Sequence, residues 1–172
     1  MIGAINVNAL PMLTDRGINV STAANITGLI GGTVTVGRLV SGYLLDVFPG
    51  SRVACVMLGT PALACLILGV SGNNLFWCSL AIILIGFAAG AEHDIAAYFT
   101  ARYFGRAHYG AIYGLAYTLY TFGAGIGPPI AGKIFDVTGT YRTALQGGAI
   151  LFLLAALLVG NLGPYPKESQ RP

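Results

Sequence analysis

Five stretches of this sequence are each about twenty residues long or more and almost free of charge. They run Thr22–Phe48, Val53–Ser71, Leu75–Phe99, Tyr109–Gly132 and Ala144–Gly163. A helix rises about 1.5 Å per residue, so roughly 20 apolar residues cross a 30 Å hydrocarbon core. Strands of a membrane barrel would be about ten residues long and strictly alternating. Leu80–Ile85 and Leu151–Val159 do not alternate, so the spans read as helices. Charge closes the alternative of a soluble domain. Only 9% of the 172 residues are charged, against about 25% in soluble domains, too few to solvate a surface of this size. A hydrophobic share of 55% also excludes a disordered chain. The predicted fold is an all-α integral membrane bundle in contact with the lipid bilayer.

Met1–Leu13 is apolar but broken by Asn6, Asn8 and Pro11. It is too short to span and has no basic n-region, so it is no signal peptide. It reads as the tail of a transmembrane helix whose start is missing. The expected organisation is therefore a partial helix over 1–13, a bundle of five full transmembrane helices over 14–163, and a tail over 164–172.

The links between spans are short. They are Pro49–Arg52, Gly72–Asn74, Arg102–His108 and Lys133–Thr143, which makes successive helices antiparallel. That alternation puts Arg52, Arg102, Arg106, Lys167 and Arg171 on one side and Arg16, Lys133 and Arg142 on the other. The side richer in basic residues faces the cytoplasm. The expectation is a multi-pass protein of a plasma or inner membrane with a cytoplasmic C-terminus. Lys and Arg form no stripe, so nucleic acid is not an expected partner. Cys55, Cys65 and Cys78 match no zinc or redox spacing and read as small hydrophobes. Glycine pairs four apart, Gly28/Gly32, Gly86/Gly90, Gly110/Gly114 and Gly123/Gly127, allow helices to approach closely.

Charges inside the spans are costly in hydrocarbon and default to a functional reading. Arg38 lies eight residues before Asp46, which sits at the end of its span. At 1.5 Å per residue Arg38 is roughly 12 Å deep. Glu92 and Asp94 precede Arg102 by ten and eight residues, which puts them at roughly the same depth. Two residues apart on a helix, the acids point about 200° from each other, so both cannot face one partner. Either one pairs with Arg38 while the other lines a cavity or packs against another helix, or the pair only ties two helices together. A buried carboxylate can take up a proton near neutral pH, which makes both acids candidates for proton coupling. His93 stands between them, as a structural histidine or a proton relay. Tyr109, Tyr113, Tyr117 and Tyr120 lie four, four and three apart, on one helix face. Mid-membrane phenols need hydrogen-bond partners, so Tyr117 and Tyr120 line a cavity or else pack. Gly127-Pro128-Pro129 interrupts the same span, where proline removes backbone donors and can kink a helix.

No nucleophile–base pair, metal-ligand cluster or phosphate-binding glycine loop is present in the sequence. Glu92-His93-Asp94 is too compact for helical metal ligands, which lie three or four apart. An enzyme is therefore not expected, and no cofactor or metal is implied.

Three segments together resemble the C-terminal half of a major facilitator superfamily transporter. Gly37-Arg38-Leu39-Val40-Ser41-Gly42-Tyr43-Leu44-Leu45-Asp46, followed by Gly50 and Arg52, is similar to the eighth helix and its Gly-x-x-x-Asp-Arg-x-Gly-Arg-Arg loop. Val47 replaces the first Arg of that loop, and the Gly/Arg element is shifted by one residue. Ala91-Glu92-His93-Asp94 with Ala101-Arg102-Tyr103-Phe104-Gly105 resembles the tenth helix of the monocarboxylate and oxalate/formate branch. Gly125–Gly132 with Phe135-Asp136 and Thr138-Gly139-Thr140-Tyr141 resembles the turn from the eleventh to the twelfth helix. Where monocarboxylate carriers often have an acid four residues before the arginine, Val34 stands here. Where oxalate carriers have a cation within the eleventh helix, the nearest here is Lys133 at its end.

The resemblance implies secondary transport by alternating access between two six-helix halves, with the substrate near mid-membrane. It implies that Arg38 binds a substrate carboxylate. Beside it, the residues themselves offer Tyr117 and Tyr120 as lining of the substrate site and Glu92 and Asp94 as the groups that take up a coupled proton. Asp46 and Arg52 would gate the cytoplasmic side, Asp46 near the positive N-terminal end of the eleventh helix. The expected substrate is a small organic anion, a monocarboxylate or dicarboxylate, moved with a proton or exchanged for another anion. The expected partner is the missing N-terminal six-helix half or a second copy of the chain. A scaffold or accessory subunit without transport of its own, or a half-size transporter acting as a dimer, are the alternative readings.

Overall fold

Six helices follow one another in the computed structural model, which describes residues 2–163. They are α1 (Ile2–Thr14), α2 (Val20–Val47), α3 (Gly50–Val70), α4 (Leu75–Phe104), α5 (Tyr109–Thr138) and α6 (Arg142–Gly160). The expected tail over 164–172, with Lys167 and Arg171, lies outside the described residues.

The helix ends follow local chemistry. Asn19 caps α2, its side-chain oxygen accepting from the Ser21 N–H at 2.9 Å. Asn74 caps α4, accepting from the N–H groups of Phe76 and Trp77 at 3.1 and 3.4 Å. These side chains satisfy donors that the first turn of a helix leaves open. Pro49 occupies the N-cap of α3, where its missing N–H costs nothing. Gly139 ends α5 at φ 66°, a left-handed conformation that glycine adopts without steric cost. Asn74→Ala is expected to lower stability by about 1 kcal/mol, read as a lower thermal midpoint in detergent.

Two helices run past the expected span ends. α4 continues beyond Phe99 to Phe104, and α5 continues beyond Gly132 to Thr138. Pro128 and Pro129 lie inside α5, which remains one continuous helix through them. Four helices, α2, α3, α4 and α6, are long and apolar enough to cross a membrane. α5 has the length, at 30 residues, but its tyrosines, glycines and threonines leave it less apolar than those four. α1 has 13 residues and is too short to cross by itself.

The two most extensive helix pairs, α2 with α4 and α3 with α6, join helices that are not adjacent in sequence, whereas α3 also packs on its neighbour α4. α2 lies along α4, α3 lies between α4 and α6, and α1 lies against α5. One core cluster joins α1, α3, α4 and α6 through Leu13, Cys65, Leu68, Ile82, Ile85 and Phe152. A second joins α2, α3 and α4 through Leu45, Val53, Met57 and Ile95. Cys65 and Cys78 are buried, Cys55 is half-buried, and all three are free thiols. The outer sides of α3 and α6 expose Val56, Leu63, Val70, Leu154 and Leu158. Contiguous exposed leucine and valine of this extent marks a surface made for lipid or for another protein.

The turns at one end of the bundle are tied together. The Arg16 guanidinium donates to Ser71 Oγ at 2.9 Å and to the Gly72 carbonyl at 3.3 Å. Tyr141 stacks on Phe135 with ring centres 4.4 Å apart. Burial, and then the charges of Asp15 and Asp136, push its phenol above the usual tyrosine value. The α1–α2, α3–α4 and α5–α6 turns therefore share this end, as antiparallel succession requires.

Candidate functional site

The site grows out of the close approach of α2 and α4. A Cβ built on Gly90 would overlap the Val34 carbonyl oxygen and lie 2.8 Å from the Arg38 backbone nitrogen. A Cβ on Gly37 would overlap the Phe87 carbonyl, and one on Gly86 would overlap Thr33 Oγ1. Only glycine lets two backbones come this near. Of the glycine pairs noted in the sequence, Gly86/Gly90 makes this contact, and Gly127 meets Ala4 of α1. Gly28, Gly32, Gly110, Gly114 and Gly123 have open space around them. On α2, Gly37, which belongs to none of those pairs, comes against the Phe87 backbone of α4.

This approach brings Arg38 to Asp94. Arg38 Nε lies 3.9 Å from Asp94 Oδ2, with the side chains 59% and 33% exposed. Ser41 sits beneath them, fully buried. Its hydroxyl lies 3.0 Å from the Arg38 carbonyl and 3.4 Å from Asp94 Oδ2. A part-exposed ion pair at this distance binds weakly. The contact uses Nε and leaves the terminal guanidinium nitrogens for a further anion.

Glu92 points to the other side of α4, toward α5. Its carboxyl faces the Tyr120 phenol, and its Oε2 atom is buried without a hydrogen-bond partner. His93 lies at the same seam. Its ring centre is 4.9 Å from that of Tyr120 and 5.7 Å from that of Tyr117, and its Nδ1 is also buried without a partner. Buried polar atoms are normally satisfied, so unpartnered atoms on two successive residues leave this seam able to accept a proton or a polar guest. The four tyrosines of α5 stack in order. Their ring centres are separated by 5.5 Å for Tyr109–Tyr113, 6.3 Å for Tyr113–Tyr117 and 6.1 Å for Tyr117–Tyr120. Tyr117 is 49% exposed.

The structure thus brings Arg38 together with Asp94, and Glu92 together with Tyr120 and His93. It gives the two acids separate partners on opposite faces of α4. Asp46 and Arg52 both lie exposed near the α2–α3 turn, with no ion pair to either among the described residues. α5 packs mainly on α1 and α4. Ser41 is a polar site residue that the sequence reading did not single out. Its signal was its position one turn after Arg38.

A family model of the Major Facilitator Superfamily matches residues 1–172. The chain belongs to that superfamily. It is a multi-pass membrane protein of a family of transporters rather than of enzymes. It is also 26% identical over 157 residues to monocarboxylate transporter 12-B of Danio rerio, covering 89% of this chain and 33% of that protein. The superfamily chain described here therefore spans about a third of the length of this curated relative.

Proposed function

We propose that this superfamily chain is one part of a secondary active transporter that moves a small organic anion, a monocarboxylate or dicarboxylate, by alternating access. The observation that carries the reading is Arg38. It is a cation within a membrane-spanning helix, open on one side, held by a single long contact to Asp94. An intramembrane cation this weakly paired is costly unless an anion visits it. A carboxylate can take two parallel hydrogen bonds from the free end of a guanidinium. Similarity to a protein named as a monocarboxylate transporter supports the same substrate class.

In this reading Asp94 is the resident counter-ion that the substrate carboxylate displaces. Glu92 is the proton site, since its orphaned oxygen gains most from protonation. Tyr117 and Tyr120 line the substrate path from α5, on the other side of α4 from Arg38. α5 then crosses the membrane as the fifth span, and its phenols and hydroxyls face a wet cavity rather than lipid. Arg38, Thr35, Thr118, Thr121 and Tyr117 are exposed on α2 and α5. A second six-helix half, or a second copy, would close the cavity over them. Asp46 and Arg52, near the α2–α3 turn, would gate the cytoplasmic side, where basic residues predominate.

The test is uptake by the full-length protein in liposomes, over a panel of labelled mono- and dicarboxylates, with an imposed pH gradient or a trapped counter-anion. Saturable uptake of at least one of them, driven by protons or by exchange, is expected. If no organic anion is moved while a neutral or cationic solute is, the anion reading is wrong.

A further inference from the structure

The tyrosine face of α5 carries more than two lining residues. Tyr109, Tyr113, Tyr117 and Tyr120 stack as an unbroken ladder, with interplanar angles of 8°, 28° and 29°. Its foot, Tyr109, is the first residue of α5, beside the α4–α5 turn. Its head, Tyr120, touches Glu92 and His93. Eleven residues of helix separate the two ends, roughly 16 Å. The ladder therefore runs from the water boundary to the two orphaned polar atoms.

We propose that this ladder is the proton path to Glu92, a reading that rests on Glu92 being the proton site of the transporter. Rings stacked within 29° of parallel on successive turns would carry their hydroxyls at about the spacing of their centres. That spacing, 5.5 to 6.3 Å, is twice a hydroxyl hydrogen bond of about 2.8 Å. It is too long for direct contact and fits one bridging water between each pair of phenols. At the head, the Tyr120 hydroxyl, Glu92 Oε2 and His93 Nδ1 offer the polar partners that a last water needs.

A proton reaching the water beside Tyr109 passes from water to phenol to water. Each hydroxyl accepts one proton and gives up another, so no tyrosine changes its charge. The last transfer forms an O–H bond on Glu92 Oε2 and neutralises the carboxylate. Release runs the same steps backwards. A purely packed stripe would need no hydroxyls, because phenylalanine stacks equally well at lower cost in a membrane. Phe122 shows that α5 uses phenylalanine on its other face. The charged groups around the head are few. Glu92 and His93 face it from α4, α1 contributes no ionisable side chain between Ile2 and Thr14, and Arg38 is occupied with Asp94 on the far side of α4.

The decisive variant is Tyr113→Phe, which keeps the ring and removes the hydroxyl from mid-ladder. The full-length protein in liposomes is assayed two ways: net anion uptake with proton influx followed by a trapped pH dye, and anion exchange at equal pH. Proton influx and net uptake should fall about tenfold, with exchange within about twofold of the unmodified protein. Unchanged influx in Tyr113→Phe overturns the ladder. So does an equal fall in exchange, which would make Tyr113 structural. Glu92→Gln is run alongside. If it abolishes influx while Tyr113→Phe does not, only the ladder fails. If Glu92→Gln leaves influx unchanged, or the unmodified protein shows none, the proton reading beneath it fails as well.

Discussion

Arg38→Gln should reduce carboxylate uptake by about a hundredfold or more in kcat/KM while leaving the protein folded. Removing one partner of a hydrogen-bonded charge pair costs about 2–5 kcal/mol, and each 1.4 kcal/mol or so is a factor of ten. Glutamine keeps much of the side-chain length but loses the charge and the paired donors. Arg38→Lys should fall between the two, because an ammonium supplies the charge without the two-pronged geometry. The fold should tolerate both changes. The Arg38 side chain is mostly exposed and its contact with Asp94 is long, so the pair contributes under about 1 kcal/mol to stability. The thermal midpoint in detergent should therefore stay near that of the unmodified protein. Asp94→Asn is the complementary change. It removes the carboxylate that contacts Arg38, so under the proposed role carboxylate binding should hold or tighten. Uptake of every tested organic anion at the unmodified rate in Arg38→Gln would show that Arg38 is only a tie between helices.

How much of this could be read beforehand depends on what each feature answers to. The start of each long helix and the general position of the turns were legible, because bilayer thickness and charge avoidance leave few choices. The far ends of α4 and α5 were not. Beyond the apolar run nothing breaks either helix until Gly105 and Gly139, both at positive φ. That Glu92 and Asp94 must face different ways follows from helix geometry alone. Which of them meets Arg38 does not, because it depends on the register of α2 against α4. That register is fixed by Gly37, Gly86 and Gly90, and in a chain with 25 glycines these three do not stand out. The pairs Gly28/Gly32 and Gly110/Gly114 look equally suited to close packing, yet a Cβ added at any of them would meet nothing within 4 Å. Ser41 was hidden for a related reason. A buried serine carries meaning only through the carboxylate beside it, and that carboxylate lies 53 positions away.

Gly90→Val should be among the most damaging single changes to the fold, and it should damage the site as well. The added Cβ would fall against the Val34 carbonyl oxygen and the Arg38 nitrogen, the acceptor and donor of one helical turn. Both are backbone atoms, so no side chain can swing aside, and the helices must part. Overpacking of this kind costs about 1–3 kcal/mol and sometimes more. It also removes the small-residue contact that holds membrane helices together. The turn pushed away is the one that carries the Arg38 guanidinium. Gly90→Ala adds the same Cβ, so it should also lengthen the 3.9 Å contact to Asp94, raise KM for the carboxylate and lower the melting midpoint, though by less than valine. Gly69→Ala on α3 is the control, since nothing lies within 4 Å of the added carbon and its melting should be unchanged or slightly higher. Melting in detergent and carboxylate uptake, measured on all three variants, separate the effects. If Gly90→Val melts and transports like the unmodified protein, then α2 and α4 do not meet at Gly90. The juxtaposition of Arg38 with Asp94, on which the proposed anion site depends, would fall with that contact.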